Sequence, residues 1–245
     1  MNTILWIFVS TFLISFIAFV GMFTLFLKER LLKKILLFLV SLSAGTLMGG
    51  AFLHLLPEAV EKTIEIDIFL WILGGFILFY LIEKVLQWHH CHRVRHIHTF
   101  GYVNLIGDAV HNFTDGLIIA ASFITNFHLG VVTTLAIAFH EIPQEIGDFG
   151  VLIYSGFKKI KALILNFLAA LTVVFGGMVG YFISTYIQEF TIFLLPLAAG
   201  GFIYIASSDL IPEIRKEENL KKSLLTFTVF LIGILIMWIA RFLPV

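Results

Sequence analysis

A single cysteine, Cys91, stands among 245 residues, which excludes an intrachain disulfide. Charge is equally scarce: Asp, Glu, Lys and Arg make up 13% of the chain, about half the ~25% of a soluble globular protein. The 16 basic and 16 acidic residues cancel, so the balance gives no reason to expect nucleic acid as a partner. The opening run MNTILWIFVS lacks the basic region of a secretory signal, and its apolar stretch continues to Leu27. That is too long for a signal core, so it reads as a retained first span. No long extramembrane domain is expected.

What the chain has in abundance is apolar surface, at 60% hydrophobic residues with a mean hydropathy of +1.02. The apolar runs are about 20 residues long, the length of a membrane helix, and not the ~10-residue alternating strands of a barrel. The expected fold is an all-α polytopic membrane protein, with residues 1–245 forming a single transmembrane domain. Eight spans are predicted, near 3–27, 35–56, 67–88, 101–125, 129–154, 161–184, 190–211 and 222–243. Lys28, Arg30, Lys33 and Lys34 follow the first span. Lys84, Arg93 and Arg95 follow the third, Lys158, Lys159 and Lys161 the fifth, and Arg215, Lys216, Lys221 and Lys222 the seventh. Only Lys62 and Arg241 fall on the other side, so the positive-inside rule predicts extracytoplasmic termini.

Span 2 ends in HLLPEA (His54–Ala59) and span 7 in DLIPEI (Asp209–Ile214), each after a Gly-Gly pair. The two spans cross in opposite directions, which is the pattern of an inverted repeat.

The polar content of the spans is concentrated in DAVHNFTDG (Asp108–Gly116) and HEIPQEIGD (His140–Asp148). An ionisable group in hydrocarbon costs about 2.5–3.5 kcal/mol on insertion scales, so a group of seven needs a function to account for it. On span 4, Asn104, Asp108, His111, Asn112 and Asp115 share one helix face, with Ser122 extending it. On span 5, His140, Gln144 and Asp148 form one row, and Glu141 and Glu145 a second about 100° away. Pro143 is expected to free a carbonyl near the site, and Gly116 and Gly147 to let helices approach closely. Imidazoles with carboxylates suit Zn²⁺, Fe²⁺, Mn²⁺ or Cd²⁺, whereas an all-oxygen shell would suit Mg²⁺ or Ca²⁺, and the lack of a thiol argues against Cu(I). Asp108 and Asp148 flank the cluster as ligands or as helix-pairing and gating groups. Between spans 3 and 4, the tract 89–98 holds His89, His90, Cys91, His92, His96 and His98, a candidate surface metal site or a solvated basic loop.

The paired runs resemble the signatures of the ZIP (Zrt/Irt-like) divalent metal transporters, closest to the histidine-rich-loop subfamily. GTLMGGAFLHLLPEA, the His-rich tract and AGGFIYIASSDLIPEI fit the same family, so the resemblance covers most of the chain. It implies eight spans in a 3+2+3 inverted arrangement, a binuclear centre between spans 4 and 5, and a homodimer. One site would use His111, Asp115 and Gln144, the other Asn112, Glu141 and Glu145, with bridging carboxylate and His140 flanking. Two positions depart from the pattern: Gln144 replaces a His, and Gly50 stands where many members carry Asp.

The expected function is therefore transport of a divalent transition metal, zinc foremost, into the cytoplasm. The metal is substrate, and no cofactor or enzymatic step is expected. The path would enter past His54 and Glu58 and leave past Asp209, Glu213 and the His-rich tract, with Asn104, Asp108 and Asp148 as further residues along it. An intramembrane di-metal hydrolase is the first alternative, though Gln144 spoils the His-Glu-x-x-His it would need. A proton- or sodium-coupled antiporter is the second. The short chain leads to the expectation of a bacterial cytoplasmic membrane.

Overall fold

In hydrocarbon a backbone amide finds no water, so a spanning segment must satisfy its own hydrogen bonds. A computed structural model describes residues 2–62, 68–93, 97–186 and 190–242, and among these the ordered structure is helical, with no strand. In chain order the helices are α1 (Thr3–Phe26), α2 (29–62), α3 (Ile68–Arg93), α4 (Ile97–Thr125), α5 (Phe127–Tyr154), α6 (159–186), α7 (190–215) and α8 (Leu220–Ala240). Six of them, α1, α2, α3, α6, α7 and α8, are long and apolar enough to cross a membrane. The other two, α4 and α5, have 29 and 28 residues, about 40 Å at 1.5 Å per residue. They have the length, but polar groups along their facing sides lower their hydropathy. The turn between them is one residue, Asn126, whose side chain accepts from Leu129 N at 2.7 Å and caps α5.

The tract 89–98 is less of a loop than its composition predicts. Backbone helix continues in α3 to Arg93 and resumes at Ile97. His96 and the side chains of His89, His90, Cys91, His92 and His98 lie outside the described residues.

Helices meet where glycines let backbones touch. A Cβ on Gly116 of α4 would lie 2.1 Å from Val173 O of α6, and one on Gly176 of α6 would lie 2.0 Å from Phe113 O of α4. The same reciprocal contact joins α3 to α7 through Gly75 and Gly200, and α2 to α8 through Gly45 and Gly233. Small residues of this kind are how membrane helices gain packing, since burial of apolar surface gives them little. Gly147 is different: a Cβ there would meet nothing within 4 Å. The expected close approach at Gly147 does not occur, because that edge of α5 faces away from its neighbours.

Two helices widen into π turns, α2 at Ala51–Leu55 and α7 at Ile205–Leu210. Each π turn leads into a proline, Pro57 or Pro212. A proline lacks the amide that the ladder needs, and one wider turn absorbs the mismatch. The largest apolar core, including Leu55, Ile119, Phe123, Val132 and Phe202, fills the half of the bundle remote from the basic connections.

Candidate metal centre

Helical spacing puts His111 and Asp115 one turn apart on α4, and His140 and Glu141 side by side on α5. Their ligand atoms all lie within 4.8 Å of one another. His140 Nε2 is 3.1 Å from Asp115 Oδ2 and 3.4 Å from Glu141 Oε1. His111 Nε2 is 3.5 Å from Glu141 Oε1 and 3.8 Å from Asp115 Oδ2. The two imidazole Nε2 atoms are 3.2 Å apart. Donor atoms around a tetrahedral ion with ~2.0–2.2 Å bonds lie about 3.3–3.6 Å from each other, and the five distances just given, 3.1–3.8 Å, bracket that spacing.

The surroundings of His140 fit too. Its Nδ1 lies 3.3 Å from Ala136 O. A carbonyl partner on Nδ1 leaves Nε2 as the ring's ligand atom, as second-shell contacts to metal-ligating histidines do. Asp115 and Glu141 are 0% and 1% exposed. Both Asp115 oxygens and Glu141 Oε1 accept no hydrogen bond of good geometry. Buried anions of this kind are stable when a cation sits among them.

The resemblance placed His140 at the edge of the site, but its ring lies inside the cluster. Asn112 and Glu145 point elsewhere. Asn112 Nδ2 donates to Asp108 Oδ1 at 2.8 Å, and Glu145 Oε2 accepts a short bond from Asn166 Nδ2 of α6. Asn104 Nδ2 donates to Asp148 Oδ1 at 2.8 Å, tying α4 to α5 below the cluster. The carbonyl freed by Pro143 is Phe139 O, and it turns away from the site: Ser43 Oγ of α2 approaches it at 2.6 Å. The expected free carbonyl at the metal position is thus not present.

A cavity of about 250 Å³ opens beside His111 and runs toward the basic connections. Gln144, Asp108, Asn104, Asp148 and Asp209 line it. So do two residues that sequence reasoning passed over, Glu83 of α3 and Tyr204 of α7, whose hydroxyl donates to Glu83 Oε2 in a short bond. Glu83 stands as an acid within an apolar span, beside Lys84, which marks the span's end. On the other side of the cluster the packing is closed: a Cβ on Gly50 would already be 3.3 Å from Ala136 Cβ and 3.8 Å from Phe202. A side chain at position 50 would require Ala136 to give by a few tenths of an ångström. At the far end, His54 Nε2 donates to Met237 O at 2.8 Å and His128 Nε2 to Ala240 O at 2.7 Å. His128 was missed because it fell between predicted spans. Glu58 lies on α2 one turn beyond His54. Glu213 is exposed and ion-paired with Lys216.

Asn166 is the partner that keeps Glu145 off the cluster. Replacing it with Ala leaves a buried carboxyl without its donor, so Asn166→Ala should lower stability by about 1–3 kcal/mol, read as thermal unfolding of the purified protein.

Comparison with known proteins places the chain in a family. The family model described as ZIP zinc transporter matches residues 3–98 and 87–241. The zinc transporter ZIP13 of Mus musculus is 33% identical over 249 residues, covering 81% of this chain and 68% of that protein. Its Homo sapiens counterpart is 32% identical, with 81% and 69% covered. The ZIP13 homolog of Drosophila melanogaster is 28% identical, with 86% and 78% covered. These relatives are animal proteins and give no support to the expected bacterial membrane; an integral, multi-pass membrane protein is what the helices and the match support. By family match and by identity over most of its length, the chain belongs to the ZIP zinc transporter family.

Proposed function

We propose that the chain carries divalent transition metal, zinc foremost, into the cytoplasm through the cluster of His111, Asp115, His140 and Glu141. One observation carries the reading: four ligand atoms within 4.8 Å of one another, three of them on buried residues, meet at His111 a cavity lined by further carboxylates. The same features suit a transporter caught open on one side. The ion is dehydrated by imidazole and carboxylate and then released along Asp108, Asn104, Asp148 and Asp209. Iron, manganese and cadmium share this donor preference.

All eight helices are taken to cross the bilayer, α4 and α5 with their polar faces turned to each other. The basic connections then mark the cytoplasmic side, and the cavity is the exit. His54, Glu58 and His128 lie at the entry. The packing pairs support the 3+2+3 arrangement, because α2 with α8 and α3 with α7 exchange under it, and both π turns precede a Pro-Glu. A second ion, bridged by Glu141, would be held once Asn112 and Glu145 turn from Asp108 and Asn166 toward the cluster.

Gln144 lines the cavity, one turn along α5 from His140. Its amide oxygen is a weaker, neutral ligand. Gln144→His should tighten zinc binding about tenfold and raise the preference for zinc over manganese. Isothermal titration with both ions checks this, and unchanged affinity and selectivity would remove Gln144 from the ligand set.

A further inference from the structure

Between the imidazole cluster and the basic connections, α4 and α5 carry the same short pattern. α4 has Asn104 and Asp108, and α5 has Gln144 and Asp148, each an amide followed four residues later by a carboxylate. Spacing of four keeps each pair on one helix face. The helices run antiparallel, so each carboxylate meets the amide of the other helix: Asp148 pairs with Asn104, and Asp108 stands beside Gln144. All four residues line the cavity of about 250 Å³. They lie roughly 10 Å along α4 from the imidazole cluster, at 1.5 Å per residue.

Each carboxylate is held at one oxygen and open at the other. Asp148 Oδ1 accepts from Asn104 Nδ2 at 2.8 Å, and Asp108 Oδ1 accepts from Asn112 Nδ2 at 2.8 Å. Asp108 Oδ2 and Asp148 Oδ2 are buried and accept no hydrogen bond of good geometry. Asp108 is 4% exposed, and the two carboxylates are near enough to repel each other. Among the described lining residues there is no Lys or Arg to balance them. Buried anions so placed are costly until a cation joins them. An amide that fixes one carboxylate oxygen also orients the other as a ligand.

The donors differ from those of the cluster. They are carboxylate and amide oxygens, and the one imidazole on the cavity wall, His111, turns its Nε2 to His140 at 3.2 Å. Oxygen donors alone suit hard ions. An ion of the Mg²⁺ kind keeps several waters and binds through one or two carboxylates, and the cavity leaves room for those waters.

We propose that Asp108 and Asp148 hold a second divalent cation through oxygen alone, a partly hydrated hard ion such as Mg²⁺ or Mn²⁺, in a site separate from the imidazole cluster. Zinc leaving the imidazoles meets only oxygen here, so its hold weakens in the direction of exit. That role rests on the transport reading; binding of the hard ion does not.

The test is Mn²⁺ electron paramagnetic resonance of the purified full-length protein already loaded with one equivalent of Zn²⁺. The signal of free Mn²⁺ should fall by one bound ion per chain, and excess Mg²⁺ should restore it. In pulsed spectra the bound ion should show no nitrogen modulation from imidazole. Asp108→Asn combined with Asp148→Asn should weaken the binding at least about tenfold, since loss of an orienting partner alone costs ~10–100-fold. His111→Ala combined with His140→Ala should keep it. Zinc-loaded wild type that binds no Mn²⁺, or binds it with imidazole modulation, would overturn the proposal whether or not the Asn variant folds. Undiminished binding in the Asn variant, or loss from a folded Ala variant, would overturn it as well. Zinc flux is not part of the readout, so failure here leaves the transport reading untouched.

Discussion

Asp115→Ala should reach the membrane folded and carry divalent metal at least about a hundredfold more slowly than wild type. Loss of a partner that only orients a ligand already costs ~10–100-fold, and Asp115 stands among the ligand atoms themselves. Its carboxylate is 0% exposed, and Oδ2 lies 3.1 Å from His140 Nε2 and 3.8 Å from His111 Nε2. The fold should survive because neither oxygen accepts a well-formed hydrogen bond. Removing an unsatisfied buried anion relieves the desolvation cost that a satisfied one would have offset. Size-exclusion profile and thermal unfolding report the fold, and zinc uptake into proteoliposomes reports the site. Normal uptake would take Asp115 out of the path.

Gly116→Ala, one residue further along, should fail for a different reason. The added Cβ would lie 2.1 Å from Val173 O and 2.6 Å from Gly177 N. Both are backbone atoms, so no rotamer change relieves the clash and α4 must move away from α6. Overpacking typically costs ~1–3 kcal/mol and occasionally more, and a backbone-on-backbone clash belongs at or above the top of that range. Gly147→Ala, in the matching motif on α5, should stay within about 0.5 kcal/mol of wild type, because nothing lies within 4 Å of its Cβ. Unfolding temperatures of the two variants test the pair. A stable Gly116→Ala protein would mean that α4 and α6 do not cross as described.

The two glycines show how far the sequence can be read. Both stand in polar motifs on long helices, and by sequence they are equivalent. Only the crossing angles and the neighbours separate them. Helical character, the apolar spans and the row His111–Asp115 follow from spacing of 3.6 residues per turn, a local property visible in any window. The rotamers are not local. Whether Glu145 turns toward the cluster or toward Asn166 depends on α6, and whether Phe139 O stays free depends on Ser43, nearly a hundred residues away. Glu83 and Tyr204 join the cavity for the same reason: their helices are far apart in sequence and packed together through Gly75 and Gly200. The metal motifs were legible because ionisable groups are rare in a membrane helix.

The most direct measurement is metal flux into proteoliposomes loaded with a divalent-metal dye. Wild type and Glu141→Ala would be compared for Zn²⁺, Cd²⁺, Mn²⁺ and Fe²⁺. Wild type should carry zinc, and the variant, whose missing carboxylate lies 3.4–3.5 Å from both imidazoles, should carry none. Equal flux in the two proteins, or no flux of any of the four ions through wild type, would contradict transport through this cluster.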